Sequence, residues 1–132
     1  MLLVGPKKSK LYEKEAIDIK DIEDEPIIMP SYKGTNDVLM LFEQYNVKPH
    51  IRFELFDEIG ILSMVHHELG ISILPQLGIT QLPKNVRVVP FKHESFRTIG
   101  LSTKQSLSPA AKRFVEELKH WLIENEDNLV FE

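Results

Sequence analysis

Between Ile51 and Leu74 the apolar residues change their spacing twice, and no other feature limits the fold of this chain so sharply. Ile51, Phe53 and Leu55 alternate with Arg52 and Glu54, the period-two pattern of a strand. Ile61, Leu62, Met64, Val65 and Leu69 then recur at the spacing of one helical stripe. Asp57 is placed to cap that helix, and Gly70 to stop it in the left-handed conformation. Ile71 to Leu74 is a short apolar run closed by Pro75, again a strand. A strand, a helix and a strand in direct succession predict a crossover unit with a right-handed connection.

The same rhythm runs upstream. Ile27 to Met29 is an apolar run stopped by Pro30, and Ser31 to Asn36 is rich in turn and capping residues. From Asp37 to Tyr45 a helix is predicted with Val38, Leu39, Leu41, Phe42 and Tyr45 on one stripe, closed by Asn46 and Pro49. Leu2 to Val4 reads as an opening strand, Lys7 to Lys10 as a polar loop, and Asp18 to Ile22 as a short helical turn ended by Pro26. Downstream, Val86 to Val89 and Phe96 to Leu101 are strand candidates separated by the polar turn Lys92 to Ser95. Ser108 caps and Pro109 starts a long helix bearing Ala111, Phe114, Val115, Leu118, Trp121 and Leu122. The tail from Glu124 to Glu132 is acidic and is expected to fray. The expectation is an α/β fold on a mainly parallel sheet.

Composition narrows the function classes. Sixteen Lys plus Arg against 20 Asp plus Glu leave a net charge of −4, which argues against a nucleic-acid grip. With no cysteine there is no disulfide framework, thiolate metal site or cysteine nucleophile, and a reducing cytoplasm fits. No run approaches the roughly 18 uncharged apolar residues of a membrane span. His66 and His67 point about 100° apart on a helix, unlike the i, i+4 pair of a zinc site. Ser63 lies inside a helix without a nucleophile elbow, and Glu23 to Glu25 is a charge run rather than an opposed acid/base pair. Gly70 and Gly78 make no phosphate-binding loop. Neither catalysis, a metal nor a cofactor is expected.

Binding chemistry is better supported. In an open parallel sheet, ligands sit beyond the carboxyl ends of strands, where helix amino termini point N–H donors outward. Ser31 and Thr35 offer hydroxyls there, Lys33 a cation, Gly34 close backbone approach, and Tyr32 an aromatic ring, a set suited to a small carboxylate. Phe56 and Asp57 occupy the next strand-to-helix junction, and Pro75 and Gln76 follow the third strand. Ordinary capping and turn chemistry is the alternative reading of all three places.

The run ELFDEIGILSMVHHELGISILPQLG, residues 54–78, resembles the signature segment of the effector-binding domain of LysR-type transcriptional regulators. LLVGPKKSKL resembles that domain's opening strand, DIEDEPIIMPSYKG its second strand and effector loop, and FRTIGLSTKQSLSPAAKRFVEELKHWL its final strand and helix. The family's usual histidine-proline-leucine-alanine stretch is replaced here by KSKL. The resemblance implies a periplasmic-binding-protein-like (type 2) α/β fold with one complete Rossmann-like subdomain over 1–92. The stretch 93–132 would be the strand and helix returning to the other. It also implies that a winged helix-turn-helix, a linker helix and the first part of the other subdomain lie outside this chain. The three junctions would then line an effector cleft, and the chain would sense a small-molecule effector without touching DNA or membrane. Self-association is expected, or refolding of the last helix onto the complete subdomain, because each large apolar side chain left in water costs roughly 1.5–3 kcal/mol. A ligand-free dimerisation module is the alternative function, and an enzyme ranks last.

Overall fold

The computed structural model describes residues 1–31, 34, 36–79, 81–97 and 99–125, and divides the chain into Met1–Thr98 and Ile99–Glu132. The first unit holds strands β1 (Leu2–Pro6), β2 (Pro26–Pro30), β3 (His50–Leu55), β4 (Ser72–Leu74) and β5 (Val86–Pro90). Helix α1 (Asp37–Gln44) joins β2 to β3, and α2 (Glu58–His66) joins β3 to β4. Short 3-10 turns lie at Lys10–Glu13, Ile19–Ile22 and Gln76–Gly78.

β1 pairs with β4 on one side and β5 on the other, both antiparallel, while β2 and β3 pair in parallel. A parallel bridge between Ile27 and Ile71 joins the two sheets. There Ile28 N donates to Ile71 O at 2.8 Å and Ile71 N to Pro26 O at 2.9 Å. The order across the molecule is therefore β3-β2-β4-β1-β5. β2 to β5 share one direction and β1 runs against them, which corrects the expectation of a mainly parallel sheet at that strand. The cause is the connection. A reversed β1 delivers the chain to the edge where β2 begins, so residues 7–25 need only 3-10 turns and no crossover helix.

The period of two explains how the sheet is covered on both faces. Leu3, Ile27, Met29, Ile71, Ile73 and Val89 face one core with Val38, Leu41 and Phe42 of α1. Val4, Ile28, Leu74 and Val86 face the other with Ile61, Leu62 and Val65 of α2. Leu11, Tyr12, Ile17, Ile19 and Ile22 of the β1–β2 connection close the first core. Gly5 makes room for Tyr12, because a Cβ there would lie 1.8 Å from its hydroxyl oxygen. That hydroxyl is buried without a hydrogen-bond partner among the described residues, and burial, with the Glu25 carboxylate second, raises its pKa.

β3 pairs only with β2 among the described strands, and its Ile51 is exposed. Two further sequence expectations are corrected. α2 ends with Glu68, not Gly70, in the left-handed region, at φ 60°. The described residues of Phe96 to Leu101 form no strand, because none among the described strands accepts their backbone hydrogen bonds.

The second unit contains helix α3 (Pro109–Glu124). Ser108 Oγ accepts from Ala111 N at 3.3 Å, and Pro109 supplies a preset φ in the first turn. No residue of α3 is buried, and Phe114 and Trp121 remain more than half exposed. Among the described residues no helix is long and apolar enough to cross a membrane.

Candidate functional site

The carboxyl ends of β2, β3 and β4 come out side by side. Ser31 N donates to Leu55 O at 2.7 Å, which fastens the end of β2 to the end of β3. A Cβ added to Gly78 would lie 3.5 Å from Pro75 Cγ and 3.6 Å from Glu58 Cγ, so the turn after β4 abuts the start of α2. The chain leaves β2 toward β3 through α1 and leaves β4 toward β5 in the opposite sense. Such a reversal of connection is where ligands usually sit in an open sheet.

The two helix starts differ in charge. Asn36 caps α1: its Oδ1 accepts from Val38 N at 3.1 Å and Leu39 N at 3.2 Å, and its Nδ2 donates to Pro30 O at 2.8 Å. The cap is neutral, and Asp37, the acidic residue of the first turn, is ion-paired with Arg97, so its negative charge is balanced at this helix start. Asp57 caps α2 with its carboxylate, accepting from Gly60 N at 2.8 Å and Ile59 N at 3.3 Å. An anion at α2 would meet a carboxylate already in place, so the junction after β2 is the better seat. Gly34 lies there at φ +106°, a conformation that side chains other than glycine rarely adopt, with open space where a Cβ would stand.

Of the residues singled out from the sequence, Ser31 is half-buried at the end of β2, and Gly34 is exposed. Phe56 is 67% exposed beside the Asp57 cap. Pro75 is half-buried and Gln76 exposed. Tyr32, Lys33 and Thr35 lie outside the described residues. His66 and His67 are exposed, and His67 Nδ1 contacts Ser63 O at 2.8 Å.

Sequence reasoning missed Arg97, whose Nε donates to Asp37 in the first turn of α1 from 60 residues away. No local spacing signals such a pair. The larger concavity lies elsewhere, a groove of about 470 Å³ along Ile59, Leu62, Ser63 and His66 of α2 with Gly78 and Gln81 to Pro83 opposite. Among the described residues its walls carry no Lys or Arg.

Comparison with known proteins gives the family. The LysR substrate binding domain family matches residues 1–123. An uncharacterized HTH-type transcriptional regulator of Bacillus subtilis (strain 168), YybE, is 32% identical over 83% of the chain and 39% of its own length. The effector binding domain of QuiR in complex with shikimate superposes with a TM-score of 0.70 at 21% identity, covering 91% of this chain and 59% of that one. The BenM effector binding domain with benzoate gives a TM-score of 0.75 at 16% identity, covering 94% and 60%. The chain spans about two fifths of the length of the curated relatives it matches, 39–41%.

Proposed function

Because this chain belongs to the LysR substrate binding domain family, we propose that it is the sensing part of a transcriptional regulator and binds a small carboxylate at the carboxyl ends of β2, β3 and β4. The observation that carries the reading is the convergence of three strand ends beside a helix start with a neutral cap. Ser31, Gly34, Phe56, Asp57, Pro75 and Gln76 would form the seat, with Tyr32, Lys33 and Thr35 assigned to it from sequence alone. QuiR and BenM, described with shikimate and benzoate, carry the same fold and support a carboxylate ligand. Residues 1–92 would be the second effector subdomain, and 93–132 the return to the first. The role is sensing rather than catalysis, in the cytoplasm, without contact to DNA by this stretch. Ligand occupancy would act by favouring one arrangement of the whole regulator over another.

Isothermal calorimetry with benzoate and shikimate, and with Lys33→Ala and Thr35→Val variants, tests the reading. Binding by the parent chain that weakens in both variants supports it; equal affinity in both would remove the Ser31 loop from the site. A second reading, a ligand-free association module, is favoured by α3, whose Phe114 is 63% and Trp121 51% exposed. Concentration-dependent mass by light scattering, together with no heat from either carboxylate, would support that alternative.

A further inference from the structure

Helix α3 keeps its whole apolar stripe at least partly in water. Ala111, Val115, Leu118 and Leu122 are half-buried, while Phe114 and Trp121 are more than half exposed. At about 100° of turn per residue, all six fall within roughly 60° of Leu118, the broad seam of a helix that packs on another helix.

The edges of that stripe carry opposite charge. Lys112 and Lys119 stand about 100–120° to one side of Leu118, and Glu117 and Glu124 about 100–120° to the other. Within the helix Arg113 pairs with Glu117 at 2.9 Å, but both side chains are more than half exposed, so water weakens that bond and leaves it exchangeable. Lys112, Lys119 and Glu124 make no ion pair among the described residues. A face that is basic along one edge and acidic along the other is complementary to a copy of itself.

Symmetry decides the orientation. Two parallel helices related by a twofold along their axes bring the basic edge of each onto the acidic edge of the other. Glu117 then lies two residues, about 3 Å of axial rise, from the other copy's Lys119. An antiparallel pair centred on Leu118 would set Glu117 near Glu117 and Lys119 near Lys119. The helix dipoles oppose a parallel pair only weakly, because their effect is screened and confined to the end turns, whereas the charged rows run the length of the contact.

We propose that α3 is a self-association surface on which a second copy of this chain lays its own α3 in parallel, Leu118 against Leu118, with Lys112 and Lys119 along the other copy's Glu117 and Glu124. The inference uses none of the strand-end contacts and holds whether or not that edge binds a carboxylate. Sixteen residues give about 24 Å of contact, so the dimer is weak and dissociates at roughly 10–100 µM.

The test is sedimentation equilibrium of the full chain at low salt, from about 1 to 500 µM. The parent should pass from one chain to two across that range. Leu118→Gln should weaken association at least about tenfold. Ile123→Gln is the control, since Ile123 is 69% exposed but lies about 140° from Leu118, and its association should stay within about twofold of the parent. Lys119→Glu and Glu117→Lys should each weaken association about tenfold by setting like charges along both edges. An equimolar mixture of these two variants should associate as the parent does, because each supplies the charge the other lacks, and this arm remains if Leu118→Gln fails to fold. Ile123→Gln as weak as Leu118→Gln, Lys119→Glu unchanged, or a mixture no tighter than its components would each overturn the inference. A dimer untouched by both Leu118→Gln and Lys119→Glu would overturn this interface and leave association itself standing, whereas a parent that stays monomeric overturns both.

Discussion

Gly70→Ala is the substitution that separates two roles for one glycine. As a helix stop, Gly70 would need a positive φ, and alanine there would cost roughly 1 kcal/mol of strain. The structure gives it a steric role instead. A Cβ at Gly70 would stand 2.4 Å from Pro26 O and 3.2 Å from Ile28 Cγ1. An ordinary carbon–oxygen contact needs about 3.3 Å, so the backbone must part by roughly 1 Å. That movement strikes the bridge holding β2 against β4, where Ile71 N donates to the same Pro26 oxygen at 2.9 Å. Overpacking of this kind costs about 1–3 kcal/mol and a lost hydrogen bond about 1 more, so ~2–4 kcal/mol is expected. For a unit of this size the melting temperature should fall by roughly 10–20 °C. Glu68→Gly should move the other way. It relieves the φ of 60° while giving up only the exposed Lys8–Glu68 pair, for a net gain of about 0.5 kcal/mol. Thermal melts followed by circular dichroism decide the matter. A Gly70→Ala melt within about 3 °C of the parent, with Glu68→Gly destabilised, would return the helix stop to Gly70 and refute the steric argument.

Tyr12→Phe removes a buried hydroxyl that has no partner among the described residues, and should leave the protein as stable or more stable by up to ~1 kcal/mol in urea unfolding; a clear loss of stability would reveal a partner. Ser72→Ala deletes the buried bond from Ser72 Oγ to Ile28 O at 2.7 Å, and a loss of about 1–2 kcal/mol is expected in the same assay. Asp21 has its pKa lowered first by the backbone N–H of Asp18 and next by Lys14. A depressed carboxylate pKa stabilises the fold above the unfolded value and loses that effect as pH falls through the folded one. Asp21→Ala should therefore cost about 0.5–1 kcal/mol at pH 7, and progressively less as the pH is taken down through and below the folded value, followed by chemical denaturation across that range; a cost that does not change with pH would contradict the charge argument.

The fold was legible where a pattern is local. Asn36, Asp57 and Ser108 cap the three helices, and the apolar runs Ile27 to Met29 and Ile71 to Leu74 lie in the sheet. These features depend on a few neighbouring residues, so spacing reveals them. Long-range geometry was not legible. The direction of β1 is set by where the chain must arrive at β2, and the pairing of Arg97 with Asp37 joins residues 60 apart in the chain. The position of Gly70 against Pro26 belongs to the same class, since sequence shows a glycine after a helix and nothing of the carbonyl it faces. In the candidate site, the strand-end positions could be read from sequence, whereas the difference between a neutral cap at α1 and a charged one at α2 gained meaning only once both stood at one edge.

Backbone amide shifts by NMR during titration with benzoate and shikimate test the central claim most directly. The account predicts saturable changes concentrated at Ser31, Gly34, Asn36 to Leu39, Phe56 to Gly60 and Gln76 to Gly78, the loops at the carboxyl ends of β2, β3 and β4. Changes confined to His66 and Gln81 to Leu82 would place the ligand in the groove along α2, and no saturable change with either carboxylate would contradict an anion site at the strand ends.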